Sequence, residues 1–376
     1  MNRNRPPVFP RVALALGVAC FAAAMLHGCS QQNRLTGVDV QVDPNGGVAA
    51  AKTQALLETM KVQNRHTAEL MAIDGVVGVA TTFDASSGKA AVMVLTERAL
   101  GARLPSQIEG LGVVETVTGK IHALKGGGGG VSHTAKQTPP IQLGCSGSPT
   151  LDIANGYCCG GTLGSLVTKG GAQYILSNSH VFAGDVVSGG NNRVSTVGDD
   201  VTQPGLIDIG CVASGGQVVA DVSTLSTLYP PNSTPNVDCS IAQVRAGMVR
   251  TDGAILEIGT LSASTVGASV GQAVKKSGRT TGLTRSSVSG LNATITVGYE
   301  DECAGTAFNK TFTGQILISN NGSRFLNSGD SGSLMVEDVA TNPRAVGLLF
   351  AGSSSVAVAN PIGAVLSHLG ATMVGQ

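Results

Sequence analysis

The sequence predicts a mostly β chain that folds as a barrel or a sandwich. Glycine is abundant, with 52 residues in a chain of 376. Clusters of Gly, Ser and Asn separate many short runs of Val, Ile, Leu and Thr, a pattern typical of short strands joined by tight turns. Aromatic residues make up only 3 % and tryptophan is absent, which is unusual for a helical protein. Many short strands with turn punctuation favour an all-β fold over βαβ units.

Composition and charge limit the classes of function. The formal net charge is zero and only 13 % of the residues are charged. The chain therefore has no basic field that would attract a nucleic acid, and that partner is excluded. A chain of this length has room for two or three domains and a large core.

Residues 1–28 are predicted to be a signal peptide. Basic residues at positions 3, 5 and 11 precede an apolar stretch, residues 12–26, that is too short for a comfortable membrane span. The segment Leu26-His27-Gly28-Cys29 resembles the bacterial lipobox, although His27 departs from the usual small or apolar residue. This resemblance implies a cell-envelope lipoprotein, lipidated on Cys29 and facing the periplasm or the cell surface. A secretory signal and an uncleaved anchor are the alternatives, and all three place the protein outside the cytoplasm.

Cysteine usage agrees with export. Apart from Cys20 and Cys29, the cysteines are Cys145, Cys158, Cys159, Cys211, Cys239 and Cys303. In an exported chain they predict up to three disulfides, with fifteen connectivities. Metal binding is the alternative, but the adjacent pair Cys158-Cys159 is not a zinc-ligand spacing and no histidine lies at a supporting interval. No metal and no cofactor are expected.

The chain divides into segments of different composition. A polar tether (29–50) leads into a small α+β module (51–124), here called the N-terminal module. Its pattern predicts a helix, two strands, a short helix over 104–111 and one or two final strands. The module contains no ligand set and is interpreted as a pro-segment, a folding assistant or a spacer. A linker (125–144) with five consecutive glycines follows and is a candidate cleavage site. The all-β domain (145–376) has many predicted short strands, one of them over 208–212, and ends in a helix predicted to start at Pro361.

The segment Gly329-Asp330-Ser331-Gly332-Ser333 is the strongest candidate for chemistry. Small neighbours let a substrate carbonyl approach both the Ser331 hydroxyl and the backbone N–H groups. The alternative is a glycine-rich turn between two strands. A serine nucleophile needs a histidine base and a carboxylate that orients the base.

His180 and Asp238 are the candidate partners of Ser331. Of the six histidines, only His180 follows an apolar strand, at the end of Tyr174-Ile-Leu-Ser-Asn-Ser. Asp238 precedes a β-branched, partly apolar run and is expected to be at least half buried, so it needs a partner such as a histidine N–H. The alternative for Asp238 is a capping role at a turn before a strand.

The chain order His180, Asp238, Ser331 resembles that of the chymotrypsin-like serine proteases. Three local motifs resemble secreted bacterial members: Cys159-Gly-Gly-Thr-Leu163 before the histidine, Ser277-Gly-Arg-Thr-Thr-Gly282, and the Gly-Asp-Ser-Gly of the nucleophile loop. The resemblance covers about residues 145–376. The α/β-hydrolases have the order serine, acid, histidine and a Gly-x-Ser-x-Gly motif, and neither is present.

The resemblance implies two antiparallel six-stranded β-barrels with an active site between them. It implies a serine endopeptidase, expected to be monomeric, that cleaves polypeptides through an acyl-enzyme intermediate. His180 is the base, Asp238 holds its tautomer, and the N–H groups of Gly329 and Ser331 form the oxyanion hole. The alternatives are a binding protein on a protease fold, whose triad is idle, and an esterase-type hydrolase.

The resemblance also implies that Asp330 is buried beside the oxyanion loop and needs a cation. Lys276 occupies the matching position, where the family usually has Arg, and Arg279 is the alternative. No Ile/Val-Val-Gly-Gly start follows the linker, so the domain is expected to need no N-terminal cut for this purpose. The other interpretation is that Lys276 and Arg279 are both solvated turn residues.

Specificity is predicted from two segments. Phe325 lies six residues before Ser331, at about the base of the primary pocket, and no acid is there to favour Lys or Arg. Phe350, Ala351 and Gly352 are expected to line one wall and to pair with substrate as an added strand. The primary pocket is expected to accept small or medium apolar side chains of the substrate. The family's cysteine after the catalytic histidine is Val181 here, so Cys159 lacks its expected partner.

Overall fold

The computed structural model describes residues 47–123, 131–154, 157–184, 194–299 and 307–376. The predicted signal peptide, Cys29, Cys303 and the five-glycine run all lie outside these ranges. No helix in the described ranges is both long and apolar enough to cross a membrane.

The helices are few and the strands are many. The α-helices are α1 (Gly47–Met71), α2 (Val131–Thr134), α3 (Ser179–Phe182) and α4 (Ile362–Leu369), and 3-10 turns span Gly101–Arg103, Leu206–Ile209 and Ala213–Gly215. The strands up to the second barrel are β1 (Val76–Phe83), β2 (Ala90–Thr96), β3 (Gln107–Ile108), β4 (Leu111–Val117), β5 (Ile121–Ala123), β6 (Cys145–Pro149), β7 (Ile153–Ala154), β8 (Tyr157–Cys158), β9 (Gly161–Leu163), β10 (Ser165–Lys169), β11 (Ala172–Ser177), β12 (Asp200–Gln203), β13 (Gln217–Leu225) and β14 (Ser240–Val244). The remaining strands are β15 (Ala273–Gly278), β16 (Gly282–Tyr299), β17 (Phe308–Ser319), β18 (Leu334–Glu337), β19 (Ala345–Gly352), β20 (Val356–Pro361) and β21 (Thr372–Met373).

The first barrel is a sheet that closes on itself. Its strands follow the order β10, β11, β14, β13, β12, β6, β9, with β21 added beside β10. Only Gly164 separates β9 from β10, so the run 161–169 pairs with β6 at one end and with β11 at the other. All of these pairings are antiparallel. The interior is filled by aliphatic side chains such as Leu176, Val219 and Ile241, which are fully buried.

The second barrel also closes. Its order is β15, β18, β19, β20, β17, β16, and β16 pairs again with β15. These pairings are antiparallel as well. The predicted double antiparallel barrel of six strands each is therefore confirmed.

The N-terminal module extends the second barrel's sheet. The long hairpin of β16 and β17 carries β1 on its outer edge, with Gly78 opposite Ile295, and β2, β4 and β3 follow. The module and the hairpin share one core, in which Ile121 packs with Ile295 and Phe312. Burial of this shared surface, at about 25 cal/mol per Å² of apolar area, stabilises the attachment of the module.

Two local predictions are wrong, and left-handed backbone explains both. The segment predicted as a helix, 104–111, instead follows the 3-10 turn Gly101–Arg103 and forms the start of the hairpin β3–β4. Glu109 (φ 47°) and Gly110 (φ 80°) form its tight turn. The strand predicted for 208–212 is a 3-10 turn that ends at Gly210 (φ 62°) and Cys211 (φ 60°). Apolar spacing alone does not reveal such turns.

The cysteines only partly follow the prediction of three disulfides. Cys158 and Cys211 form a disulfide, and Cys159 is also disulfide-bonded. Cys145 and Cys239 are instead free thiols, buried in the first barrel. They pack there as small apolar residues.

Residues 131–144, within the predicted linker, contact the first barrel. His133 is buried, and its ring nitrogens contact the Gly144 carbonyl at 2.8 Å and the Glu257 carboxylate at 2.7 Å. The side chains of Ile141 and Leu143 are fully buried in the barrel core. This part of the segment is therefore held against the domain.

Candidate active site

His180 and Asp238 form a buried pair at the edge of the first barrel. His180 lies in α3, directly after β11, and Asp238 lies two residues before β14, which pairs with β11. The His180 Nδ1 to Asp238 Oδ2 distance is 2.5 Å, and the two side chains are 1 % and 0 % exposed. A carboxylate in this position holds the ring in one orientation and stabilises its protonated form.

Two further donors form hydrogen bonds to the Asp238 carboxylate. The backbone N–H of His180 donates to Oδ1 at 3.2 Å, and the Tyr299 hydroxyl donates to Oδ2 at 3.0 Å. A buried carboxylate is costly unless its oxygens are satisfied, and these donors offset part of that cost. Tyr299 belongs to β16, in the second barrel, and the sequence interpretation missed it.

The backbone of Asp238 is fixed from both barrels. Asn178 Nδ2 and Asn360 Nδ2 donate to its carbonyl at 2.7 and 3.1 Å, and its own N–H donates to Asn360 Oδ1 at 3.2 Å. Asn360 also reaches the Leu348 carbonyl of β19 at 3.4 Å. The sequence interpretation did not single out Asn360, although a lone amide that ends the apolar run Val-Ala-Val-Ala is a signal that was available.

Ser331 lies in a turn before β18 and faces the His180 turn across Gly161. A Cβ built on Gly161 would come within 3.0 Å of the Ser331 carbonyl oxygen and 2.6 Å of a Val181 methyl. The Ser331 hydroxyl donates to the Phe350 carbonyl at 3.2 Å. His180 Nε2 is buried and has no hydrogen-bond partner within the described ranges. The nucleophile and the base are thus in neighbouring turns without a hydrogen bond between them.

Glycine is required where the nucleophile loop contacts the first barrel. Gly332 has a left-handed φ of 93°, and a Cβ there would lie 2.3 Å from both Ser177 Oγ and the Thr162 carbonyl oxygen. A Cβ on Gly164 would lie 2.0 Å from the Gly332 carbonyl oxygen. Any larger residue would separate the loop from the strand before His180.

The turn presents two backbone donors. The structure gives the N–H groups of Gly329 and Ser331 no acceptor among the residues it describes. The carbonyls of the same residues are held by Thr162, whose hydroxyl donates to Gly329 O at 2.9 Å and whose N–H donates to Ser331 O at 2.8 Å. Fixed carbonyls with open N–H groups are the arrangement that an oxyanion site needs.

Asp330 is buried beneath this turn and is paired with Lys276. The Nζ to Oδ2 distance is 3.1 Å and both side chains are fully buried. Four neutral donors also reach the carboxylate: Thr280 N at 2.9 Å, Thr281 N at 3.1 Å, Thr281 Oγ1 at 2.6 Å and Asn327 N at 3.0 Å. Burial lowers the pKa of the Lys276 ammonium, and the Asp330 carboxylate opposes that shift.

Arg279, the alternative cation for Asp330, pairs with Asp208. Its Nε and Nη2 reach the two Asp208 oxygens at 2.7 and 2.5 Å. The Arg279 side chain is 1 % exposed, and its backbone N–H donates to Thr162 Oγ1 at 3.0 Å. This bidentate pair joins the second barrel to the 3-10 turn of the first.

The proposed pocket residues fall into two groups. The side chains of Phe325 and Phe350 are buried in hydrophobic cores, and the Phe350 ring lies edge-on to Phe312 at 5.0 Å. Ala351 and Gly352 are on the edge of β19. That edge is paired antiparallel with β5, with Ala351 opposite Ala123 and Gly352 opposite His122. The strand edge expected to take a substrate is therefore occupied by the N-terminal module.

No cluster of three or more His, Cys, Asp or Glu side chains in the described ranges could hold a metal ion. The site consists of a histidine with its carboxylate, a serine in an adjacent turn and two backbone N–H groups that have no acceptor among the described residues. Its chemical capacity is nucleophilic acyl transfer.

Comparisons with known proteins give a partial match. The family model described as the Nal1 C-terminal domain matches residues 235–359, less than half of the chain. No curated protein matches. Among solved structures, the chain is similar to a glutamic acid specific serine protease (22 % identity, 62 % of this chain and all of that one, TM-score 0.40). It is also similar to Thermobifida fusca Protease A (18 %, 63 % and 99 %, TM-score 0.41) and Cellulomonas bogoriensis chymotrypsin (17 %, 63 % and 99 %, TM-score 0.37). The likeness is one of fold, at low sequence identity.

Proposed function

We propose that this chain is a serine endopeptidase that uses His180, Asp238 and Ser331. One observation carries the proposal: the buried contact of 2.5 Å between His180 Nδ1 and Asp238 in the turn next to Ser331. A histidine that is oriented by a carboxylate and whose other nitrogen is available to accept a proton is what activates a serine hydroxyl.

The proposed reaction begins when the Ser331 hydroxyl leaves the Phe350 carbonyl and donates to His180 Nε2. As Oγ bonds to the scissile carbon, its proton moves to Nε2 and Asp238 stabilises the resulting imidazolium. The carbonyl oxygen becomes an oxyanion that accepts from the N–H groups of Gly329 and Ser331, each worth about 3 kcal/mol in such sites. His180 then protonates the leaving amine, and water hydrolyses the acyl-enzyme by the reverse sequence.

We further propose that the chain with its N-terminal module attached is latent. β5 pairs with Ala351 and Gly352, where a substrate strand would add. β5 also pairs in parallel with β16, with Ile121 opposite Val297, so it is held on two sides. Ile121 is 2 % exposed, and its burial in the shared core stabilises this closed arrangement.

The test compares the full chain before and after a cut in the glycine run 126–130, with a specific protease site inserted there. A fluorophosphonate probe reports on Ser331, and casein reports on peptide cleavage. We expect faster labelling and new proteolysis after the cut, and neither in Ser331→Ala. Circular dichroism before and after the cut controls for unfolding, since the module shares a core with the barrel.

A binding protein on the same fold is the second candidate. It is favoured by the Ser331 hydroxyl, which is fully buried and bonded to Phe350 rather than to His180. Folded protein whose Ser331 stays unlabelled in both states would support this candidate and exclude the enzyme. Turnover of small esters without cleavage of casein would instead indicate an esterase-type hydrolase.

Export to the cell envelope through Cys29 remains part of the proposal. The disulfide between Cys158 and Cys211 suits an oxidising compartment. Membrane association of the full chain that is lost in Cys29→Ser would support the lipid anchor. Equal association of both proteins would exclude it.

A further inference from the structure

Tyr299 connects the second barrel to the carboxylate of the histidine pair. Its hydroxyl donates at 3.0 Å to Asp238 Oδ2, the same oxygen that His180 Nδ1 contacts at 2.5 Å. The Tyr299 ring also lies edge-on to the His180 ring, with 5.9 Å between centroids. One tyrosine therefore contacts both members of the pair.

An aromatic stack fixes the position of Tyr299. Its ring is parallel to that of Phe308, with centroids 4.9 Å apart and planes at 7°. Phe308 lies opposite Tyr299 in the β16–β17 pairing and meets Tyr229 edge-on at 5.4 Å. Tyr299 is 5 % exposed, so its hydroxyl has little access to water as an alternative partner.

Within the described ranges, Tyr299 contacts two ionisable groups, Asp238 and His180, and Lys310 lies near Asp238. The Lys310 ammonium is bonded to the Ser233 carbonyl at 2.6 Å and interacts electrostatically with Asp238. Burial, and then Asp238, raises the pKa of the Tyr299 phenol well above its ordinary value. The phenol therefore keeps its proton and remains a donor at any pH at which a histidine base works.

We propose that Tyr299 is a positioning residue that fixes the Asp238 carboxylate against His180. The inference rests on the proposed function for its effect on rate, but the contact itself does not depend on it. Two donors on one oxygen, from different barrels, restrict rotation of the carboxylate more than the histidine does alone. Because both donors draw on the same negative charge, the carboxylate stabilises the His180 imidazolium less than a carboxylate that His180 alone contacts.

The experiment uses the full chain and the variant Tyr299→Phe, which keeps the ring stack and removes only the hydroxyl. Tyr229→Phe is the matched control, since it makes the same change in the same aromatic cluster away from Asp238. Proton NMR in water follows the downfield resonance of the His180 Nδ1–H, assigned by its loss in His180→Ala. We expect the resonance to move in Tyr299→Phe and to stay in place in Tyr229→Phe.

The rate measurement uses Ser331 labelling after the glycine run is cut. Loss of a hydrogen bond to a charged group predicts a fall of roughly 10- to 100-fold in Tyr299→Phe. The acidic limb of the pH–rate profile should move to higher pH, because a carboxylate that His180 alone contacts stabilises the imidazolium more. A residue that only supported the fold would lower the labelled fraction and leave that limb in place.

The inference is overturned if folded Tyr299→Phe leaves either the resonance or the acidic limb in place. It is also overturned if the wild type shows no such resonance. If Tyr299→Phe does not fold, 3-fluorotyrosine at position 299 keeps the hydroxyl and strengthens its donation, and the acidic limb should then move to lower pH. A wild type that never labels refutes the proposed function, while the resonance still decides the role of Tyr299.

Discussion

Replacing Lys276 with methionine should destabilise the chain and disable the turn that carries Ser331. Methionine keeps most of the lysine volume and removes only the ammonium, so the perturbation is mainly electrostatic. Asp330 would keep its four neutral donors but would lose its only ion-pair partner among the described residues.

The magnitude follows from the geometry of the pair. At 3.1 Å, two unit charges attract by about 5 kcal/mol at the effective dielectric constant of about 20 that suits buried sites. The four remaining donors retain part of the carboxylate's stabilisation. We therefore expect a loss of about 3 kcal/mol in the free energy of unfolding, at the lower end of the range for a broken buried pair.

Urea unfolding gives the stability, and fluorophosphonate labelling of Ser331 gives the state of the turn. Labelling should fall about 100-fold, because a displaced turn no longer aims the N–H groups of Gly329 and Ser331 at the oxyanion. Lys275→Met is the matched control. This neighbouring lysine is 5 % exposed, but among the described residues it bonds only the Val339 carbonyl, at 2.7 Å, and its replacement should cost about 1 kcal/mol.

A role for the Lys276–Asp330 pair is refuted if Lys276→Met is as stable and as rapidly labelled as the wild type, or if Lys275→Met is equally harmful. A double-mutant cycle with Asp330→Asn separates the pair from general packing. A coupling energy near zero would show that the two charges do not depend on each other.

Three further predictions concern titration and cross-linking. Above pH 10 the free energy of unfolding of the wild type should fall about 1.4 kcal/mol per pH unit more steeply than that of Tyr299→Phe, because a phenol whose pKa is raised by folding ionises only in the unfolded chain. Burial raises the pKa of the Cys145 thiol to about 12 and that of Cys239 further, so neither should react with Ellman's reagent until the chain unfolds. Cys211→Ala opens a loop with a sequence separation of 53 residues and should lower stability by about 4 kcal/mol in calorimetry, with no change expected in the reduced protein.

Much of the fold was predictable because strand and turn signals are local. Short β-branched runs bounded by Gly, Asn and Ser predicted most strands of the second barrel and β9, β10, β11 and β14 of the first, and Pro361 marked the start of the final helix. The failures at 104–111 and 208–212 occurred where two consecutive residues adopt left-handed backbone, including non-glycine residues such as Glu109 and Cys211. Side-chain type indicates such conformations poorly.

The pairings of charged side chains were not predictable. Lys276 and Arg279 are three residues apart in the same strand and turn, and the sequence left open which of them meets Asp330. Lys276 extends toward Asp330, whereas Arg279 extends toward Asp208 in the other barrel. The choice depends on the direction in which each side chain leaves the backbone and on which acid the other barrel presents.

The sequence by itself determined the β-rich class, the order of His180, Asp238 and Ser331, and the glycines that surround the serine. These are properties of composition, spacing and backbone freedom, and they are written along the chain. Only the tertiary structure decided that Tyr299 and Asn360 complete the Asp238 site, and that β5 covers the edge at Ala351 and Gly352. Those contacts join residues 61, 122 and more than 200 positions apart, so they arise from the docking of two barrels and a module and not from any local preference.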